Sequence, residues 1–216
     1  KTGGEIRSTV AIDSGLLYFV CSDGLLYALS TETGQKRWTF ATNGERKKDA
    51  WDYFHSSPTI SEGIVYFGSG DNHIYAINGK TGELSWKFPT GGIVHASPTL
   101  TKDRVMIGSF DGYFYCLEKN GKLRWKFKTV GERYFPKGEI QFHAITADSS
   151  VYFGARDFNV YALNVNDGTG YWIYHQPGSW TGVPSLSGEK RMPIHPARTT
   201  SSPSVKRRSA ACAVAG

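Results

Sequence analysis

One short pattern recurs four times along the 216-residue chain, and it limits the possible folds more than any other feature. An Asp opens the pattern, a Tyr follows four residues later, then a small residue, and a Trp closes it. The copies run from Asp23-Gly-Leu-Leu-Tyr-Ala-Leu to Trp38, from Asp71-Asn-His-Ile-Tyr-Ala-Ile to Trp86, from Asp111-Gly-Tyr-Phe-Tyr-Cys-Leu to Trp125, and from Asp157-Phe-Asn-Val-Tyr-Ala-Leu to Trp172. The four tryptophans are 48, 39 and 47 residues apart. Such a period means one supersecondary unit repeated, each unable to bury its faces without neighbours. Alternating β-branched and aromatic runs such as Ile64-Val-Tyr-Phe67 and Val151-Tyr-Phe153 lie between the tryptophans, with Gly, Asp and Asn at the breaks. That is strand and turn chemistry. No helical apolar period is sustained, so the chain is expected to be all-β.

The second copy carries four strand signals, over 54–60, 63–69, 73–78 and 83–88. Its joints, Ser61-Glu62-Gly63, Gly70-Asp71-Asn72 and Gly79-Lys80-Thr81-Gly82, supply the positive-φ positions of tight hairpins. A four-stranded antiparallel sheet of about 40–48 residues, repeated side by side, is the blade of a β-propeller.

These residues resemble the pyrroloquinoline-quinone-like (PQQ-like) propeller repeat of the quinoprotein alcohol dehydrogenase-like proteins. Its blades close on Ala, a few residues, Thr-Gly, three residues and Trp. Here this stands as Ala28…Thr33-Gly34-Gln-Lys-Arg-Trp38 and Ala76…Thr81-Gly82-Glu-Leu-Ser-Trp86. The fourth copy, Ala162…Asp167-Gly168-Thr-Gly-Tyr-Trp172, has Asp for Thr, and the third, Cys116…Asn120-Gly121-Lys-Leu-Arg-Trp125, is one residue short. Ser56-Ser-Pro58 and Ala96-Ser-Pro98 are similar to the family's blade openings. The resemblance implies that each Trp packs between blades on the Gly turn of the next. Gly34, Trp38, Gly82, Trp86, Gly121, Trp125, Gly168 and Trp172 are then the structural docking set. It further implies four blades within residues 1–176, at about 5–42, 54–89, 94–128 and 141–175. The family's rings close with more blades, commonly seven or eight, so missing blades or a second chain would complete this one.

Thr2-Gly-Gly4 looks like the Thr90-Gly-Gly92 link between blades two and three, so the chain is expected to begin just after a blade. Residues 177–188, with Gly178-Ser-Trp-Thr-Gly-Val-Pro-Ser185, look like the start of a fifth blade. The pattern then stops, and 189–216 is expected to be a disordered or out-of-frame tail rich in basic residues, Ser and Pro. The formal charge of +6 is concentrated there: residues 177–216 hold six basic side chains against Glu189, while 1–176 carry 19 against 18. The blades therefore give no electrostatic reason to expect nucleic acid. No apolar run approaches the roughly 18 residues of a transmembrane helix, and no signal peptide is visible. Cys21, Cys116 and Cys212 are too widely spaced for a CxxC site and do not form a disulfide framework.

Two constellations are candidates for function. Two long links, Gly44-Glu-Arg46 to Tyr53 and Gly131-Glu-Arg133 to Gln141, alternate with the short Thr-Gly-Gly links. They carry Arg46, Trp51, Asp52, Tyr53, Arg133, Tyr134 and Phe135. Aromatics mixed with both charge signs suit a protein interface on the channel face, or a cap packed on the channel rim. The second constellation is a column at the start of the innermost strands: Arg7, His55, His95 and, with a hairpin taken as two residues shorter, His143. Such a column at the channel mouth suits an anion, a metal or bound water, with adjacent blades expected to be too far apart to share one ion. Catalytic signatures are missing. Asn78-Gly-Lys-Thr81 has Ile74 where a phosphate loop needs Gly, and there is no Gly-x-Ser-x-Gly, His-Glu-x-x-His or CxxCH.

No catalytic residue, cofactor or metal site is therefore expected in this chain. The resemblance implies a non-catalytic scaffold that binds protein partners through channel-face loops, similar to the BamB-type periplasmic propellers of outer-membrane protein assembly. The alternative it leaves is a fragment of a PQQ-dependent alcohol or sugar dehydrogenase. There, quinone and Ca²⁺ sit beside a disulfide of adjacent cysteines and a catalytic Asp that nothing here matches. A further alternative is the sensor propeller of a membrane kinase.

Overall fold

The computed structural model describes residues 1–46, 54–133, 138–175 and 182–185. They form four four-stranded antiparallel sheets, each built from consecutive strands in sequence order. Blade one holds β1 (Ala11–Asp13), β2 (Leu16–Val20), β3 (Leu25–Ser30) and β4 (Lys36–Ala41). Blade two holds β5 (Thr59–Ser61), β6 (Ile64–Ser69), β7 (His73–Asn78) and β8 (Leu84–Pro89). Blade three holds β9 (Thr99–Leu100), β10 (Arg104–Gly108), β11 (Tyr113–Glu118) and β12 (Leu123–Lys128). Blade four holds β13 (Ile145–Ala147), β14 (Ser150–Ala155), β15 (Asn159–Asn164) and β16 (Gly170–His175). The all-β expectation holds, with one 3-10 turn, Val130–Arg133, in the link before blade four. Of the expected fifth-blade start, only 182–185 are described, and they form no strand. The tail from 189 onward lies outside the described residues.

The first strand of blade two is shorter than its sequence signal. In blade two, pairing begins at Thr59, although the extended pattern runs from residue 54. Pro58 has no N–H to give a ladder, and side chains take over the bonding. The Ser56 hydroxyl accepts the Gly68 amide at 2.8 Å. Neighbouring first strands are joined in the same way, Thr9 N donating to Ser57 Oγ and Ser57 N to Ser97 Oγ, both at 2.9 Å. Thr59 Oγ1 and Thr99 Oγ1 then donate to the carbonyls of Pro98 (3.0 Å) and Ala144 (2.6 Å) in the following blades. These rungs place β1, β5, β9 and β13 side by side as the inner edge of the arc.

The core lies between blades. Tyr18, Val20, Leu26 and Ala28 of blade one meet Val65, Phe67, Tyr75 and Ile77 of blade two. Tyr66, Ile74 and Ala76 meet Val105, Ile107, Tyr115 and Leu117. Met106, Phe114 and Cys116 meet Val151, Phe153, Tyr161 and Leu163. The sheets' two-residue alternation makes this possible, because each middle strand feeds both junctions with buried side chains.

A tryptophan closes each junction. The register of every third and fourth strand pair shifts just before it, between Ala28/Leu29, Ala76/Ile77, Cys116/Leu117 and Ala162/Leu163. This bulge leaves one extra residue ahead of the Trp. The indole N–H of Trp38 donates to Gly79 O (3.0 Å), Trp86 to Lys119 O (2.8 Å) and Trp125 to Val165 O (3.0 Å), always in the next blade. The rings lie against Gly82, Gly121 and Gly168 of those blades, where a Cβ would come within 2.6–2.8 Å of an indole carbon. The shorter third copy keeps this contact, because its turn closes by a Gly121 N to Glu118 O bond with φ of 88° at Gly121.

Gly82 combines two demands that Gly34 does not. Both have positive φ (78° and 68°), but Gly82 faces an indole, whereas nothing lies within 4 Å of a Cβ at Gly34. Gly34→Ala should cost about 1 kcal/mol, the backbone term alone, and Gly82→Ala about 3 kcal/mol or more. Urea unfolding of the two variants checks the difference; equal losses would mean that the ring contact adds nothing.

Candidate functional site

The face on which the blades are linked is held by the Asp that opens each repeat. Each of these aspartates accepts a bond on Oδ2 from the Tyr four residues on: Tyr27 to Asp23 and Tyr115 to Asp111 at 2.6 Å, Tyr75 to Asp71 and Tyr161 to Asp157 at 2.5 Å. Oδ1 accepts the amide two residues on, at 2.8–3.2 Å, which closes the turn. In three blades Oδ2 also accepts an amide of the entering link: Gly3 N at 2.9 Å, Asn43 N at 3.0 Å and Gly91 N at 2.7 Å. The repeat's Asp therefore anchors the links into blades one, two and three to the blade each enters. Sequence reading used these aspartates only to align the copies.

The long link after blade one is fastened a second time. Glu45 is buried, and its Oε2 accepts the Gly70 amide at 2.8 Å and lies 3.1 Å from His95 Nε2. Gly70 is needed here, since a Cβ would strike the Arg46 backbone. Arg46 itself is exposed. Trp51, Asp52, Tyr53, Tyr134 and Phe135 lie outside the described residues, and of Arg133 only the backbone, in the 3-10 turn, is described. The flanks of the second long link dock similarly, Val130 N donating to Tyr161 Oη at 3.1 Å and Thr129 Oγ1 to Gly138 O at 3.0 Å.

The histidine column needs two corrections. Arg7, His55 and His95 share a position, four residues before the first paired residues Ala11, Thr59 and Thr99. In blade four the first paired residue is Ile145, so the matching residue is Gln141 and not His143. The hairpin is not shorter: Asp148 takes the positive φ (52°) that Glu62 takes in blade two (54°), and Ser149 replaces Gly63. The missing Gly concealed the turn. His143 stands two positions on and is exposed. Secondly, His55 and His95 are close, with ring centroids 5.5 Å apart in an edge-on arrangement, against the expected wide separation.

Both histidines are buried, at 4% and 2% exposure. His95 also meets the Phe110 ring edge-on at 5.8 Å, and the Arg156 guanidinium lies over that ring, 5.7 Å from its centroid. Glu139 and Gln141 are also buried, and Glu139 Oε2 and Gln141 Nε2 have no hydrogen-bond partner among the described residues. Arg7 is paired with Glu5 at the start of blade one. Among the described residues, no group of three or more His, Cys, Asp and Glu side chains is arranged to hold a metal ion. Cys21 and Cys116 are free and buried in different blades, so they do not form the adjacent pair that the resemblance attaches to a quinone site. Burial pushes the Cys116 thiol up to about 12, which keeps it protonated and unreactive at neutral pH.

Comparison with known proteins places this arrangement. The family model described as outer membrane protein assembly factor BamB matches residues 1–133 and 89–196. No curated protein matches the chain in sequence. The crystal structure of BamB from Moraxella catarrhalis superposes with a TM-score of 0.69 at 16% identity, over 81% of this chain and 53% of that one. Quinohemoprotein alcohol dehydrogenase from Comamonas testosteroni gives 0.67 at 19% identity, over 80% of this chain and 35% of the other. The quinohemoprotein alcohol dehydrogenase ADHIIG from Pseudomonas putida HK5 gives 0.70 at 18%, over 81% and 34%. The chain thus spans about half of the BamB structure and about a third of the dehydrogenases, and at these identities the likeness is one of fold.

The Asp–Tyr clamps make a test. Burial and the bond to Asp71 push the Tyr75 hydroxyl well above its ordinary value, and Tyr115 and Tyr161 shift likewise. In the unfolded chain these phenols ionise near pH 10, so above that pH the unfolded state binds fewer protons than the native one. Their contribution is therefore complete below about pH 10 and is lost as pH rises beyond it. Stability measured from pH 8 to 11 should fall at the alkaline end, and Tyr75→Phe should cost about 1–2 kcal/mol at neutral pH.

Proposed function

The chain belongs to the family of outer membrane protein assembly factor BamB, and on that premise we propose that it is a non-catalytic propeller that binds protein partners in the bacterial cell envelope. The match over most of the chain carries this reading. The linking face supports it. Short links such as Thr90-Gly-Gly92 are tied close to their blades, with Thr90 Oγ1 bonded to the Asn72 and Gly92 carbonyls. The two long links are fastened at the described flanks and hold the aromatic and charged residues between them. Aromatic side chains on a rigidly anchored loop are the usual source of binding energy in a protein interface. Among the described residues, no helix is long and apolar enough to cross a membrane.

The dehydrogenase alternative rests on fold likeness, and the same experiment set separates the two. A tagged chain exported to the periplasm of an envelope-bearing host behind a secretory leader should retain outer-membrane assembly proteins. Trp51→Ala with Tyr134→Ala should weaken that capture at least about tenfold while leaving the far-UV spectrum unchanged. Alcohol-dependent reduction of an artificial acceptor, after adding the quinone and Ca²⁺, would instead favour the enzyme reading.

A further inference from the structure

In blades three and four, an apolar residue just before the first strand is seated on a glycine of the preceding blade. Val94 and Ile140, five residues ahead of the first paired residues Thr99 and Ile145, are both 0% exposed. Val94 lies against Gly68 and Ile140 against Gly108, and a Cβ on either glycine would strike the seated side chain. Phe54 holds the same position ahead of Thr59, yet it is 50% exposed. The reason lies in blade one. Val20 pairs with Leu26 as Gly68 pairs with Ile74 and Gly108 with Phe114, so a valine stands in place of the seat glycine. Its buried side chain fills the space that a glycine would leave. Phe54 is left outside the junction.

Blade four has a misfit of its own. Phe142 stands where blades two and three have Ser56 and Ala96, which are fully buried. A phenyl ring far exceeds the slot that Ser or Ala fills, and Phe142 is only half-buried. The two displaced rings find each other. Phe54 and Phe142 meet edge-on, with centroids 5.7 Å apart and planes at 63°, a favourable aromatic geometry. Blades two and four are not neighbours, because blade three packs between them. The pair therefore bridges two segments that no sheet or junction connects. Phe54 immediately follows the long link that runs to Tyr53, and Phe142 the one that runs to Gln141.

We propose that Phe54 and Phe142 are positioning residues that clasp the two long links into one composite binding surface, which a protein partner engages as a whole. The inference rests on the protein-binding reading above and adds the arrangement of its site. A line of contacts carries the clasp into the fastening of the first link. Phe54 adjoins His55, whose ring lies 5.5 Å from that of His95. His95 Nε2 is 3.1 Å from the Glu45 carboxylate that receives the Gly70 amide. In the second link, Phe142 follows Ile140, which is seated on Gly108 with its amide bonded to Ser109 O at 3.1 Å. Loss of either ring frees one link from the other while each keeps the bonds to its own blades. A partner gripping both links then meets two surfaces whose spacing is no longer set, and binding must supply the entropy of aligning them.

Hydrogen exchange of the chain alone, followed by NMR, tests the clasp without a partner. Phe142→Ala should speed exchange of the Gly70 amide, two blades away, about fivefold, the effect of losing one aromatic pair. The Val105 and Ile107 amides in the core should keep their rates. Phe54→Ala should act likewise on the Ile140 amide, because coupling between two places is reciprocal. Phe142→Tyr keeps the ring and should leave Gly70 unchanged. Far-UV circular dichroism checks that the variants keep the fold. Unchanged Gly70 exchange in Phe142→Ala overturns the clasp, as does a Phe142→Tyr variant that exchanges as fast as Phe142→Ala. Phe142→Ala should also weaken capture of outer-membrane assembly proteins about fivefold, and full capture would overturn the composite surface. Coupled exchange in a chain that captures nothing would sustain the clasp and remove the protein-binding reading alone.

Discussion

The contact between an indole and a glycine turn is what the remainder of this structure depends on. A single four-stranded sheet here has two apolar faces and cannot hide either by itself. Trp38, Trp86 and Trp125 reach across to Gly82, Gly121 and Gly168, where any side chain would exclude them. Each contact buries an aromatic and satisfies its N–H in the same step, a contribution of about 2–3 kcal/mol from area and about 1 kcal/mol from the bond. The bulge one residue earlier belongs to the same device. It recurs at the same place in every blade, whatever residue it inserts: Arg37, Ser85, Arg124 or Tyr171.

That contact was also the most legible part of the sequence, since it depends on residue types at fixed spacing. Thr33-Gly34 and Trp38 announce themselves, and so do the β-branched runs between them. Less visible were features in which one residue substitutes for another in the same geometry. Asp148-Ser149 forms the turn that Glu62-Gly63 forms in blade two, and reading the absent Gly as a shorter hairpin shifted the inner column from Gln141 to His143. Glu45 was recognised as part of a repeated triplet, but its bonds to Gly70 and His95 join residues 25 and 50 positions away. No local pattern encodes them. The aspartates that open the repeats were plain as markers and silent as anchors, because the amides they bind, in Thr2-Gly-Gly4, Thr42-Asn-Gly44 and Thr90-Gly-Gly92, lie 20 to 28 residues earlier in the chain.

The linking face shows how rigidity and exposure are divided. Asp23, Asp71 and Asp111 tie the links into the first three blades with one charge-assisted bond each, in addition to the Tyr hydroxyl they hold. In Asp23, burial would by itself raise the carboxyl, but the bonds from Tyr27, Cys21 and the Gly3 and Leu25 amides outweigh it and lower it. The Asp23 anion is therefore the form the fold favours, and the link it holds stays fastened as long as that anion persists. Long links fastened in this way can present side chains without loosening the sheets below.

The inner edge of the arc has a different logic. Ser57 uses its hydroxyl to receive the amide of Thr9 and its own amide to reach the hydroxyl of Ser97. Donor and acceptor sit on one residue, so a blade bearing it can stand beside a copy of itself on either side. A gene segment encoding such a blade can be duplicated or lost without a new interface having to arise, and blade number becomes a quantity that descent can change in whole steps.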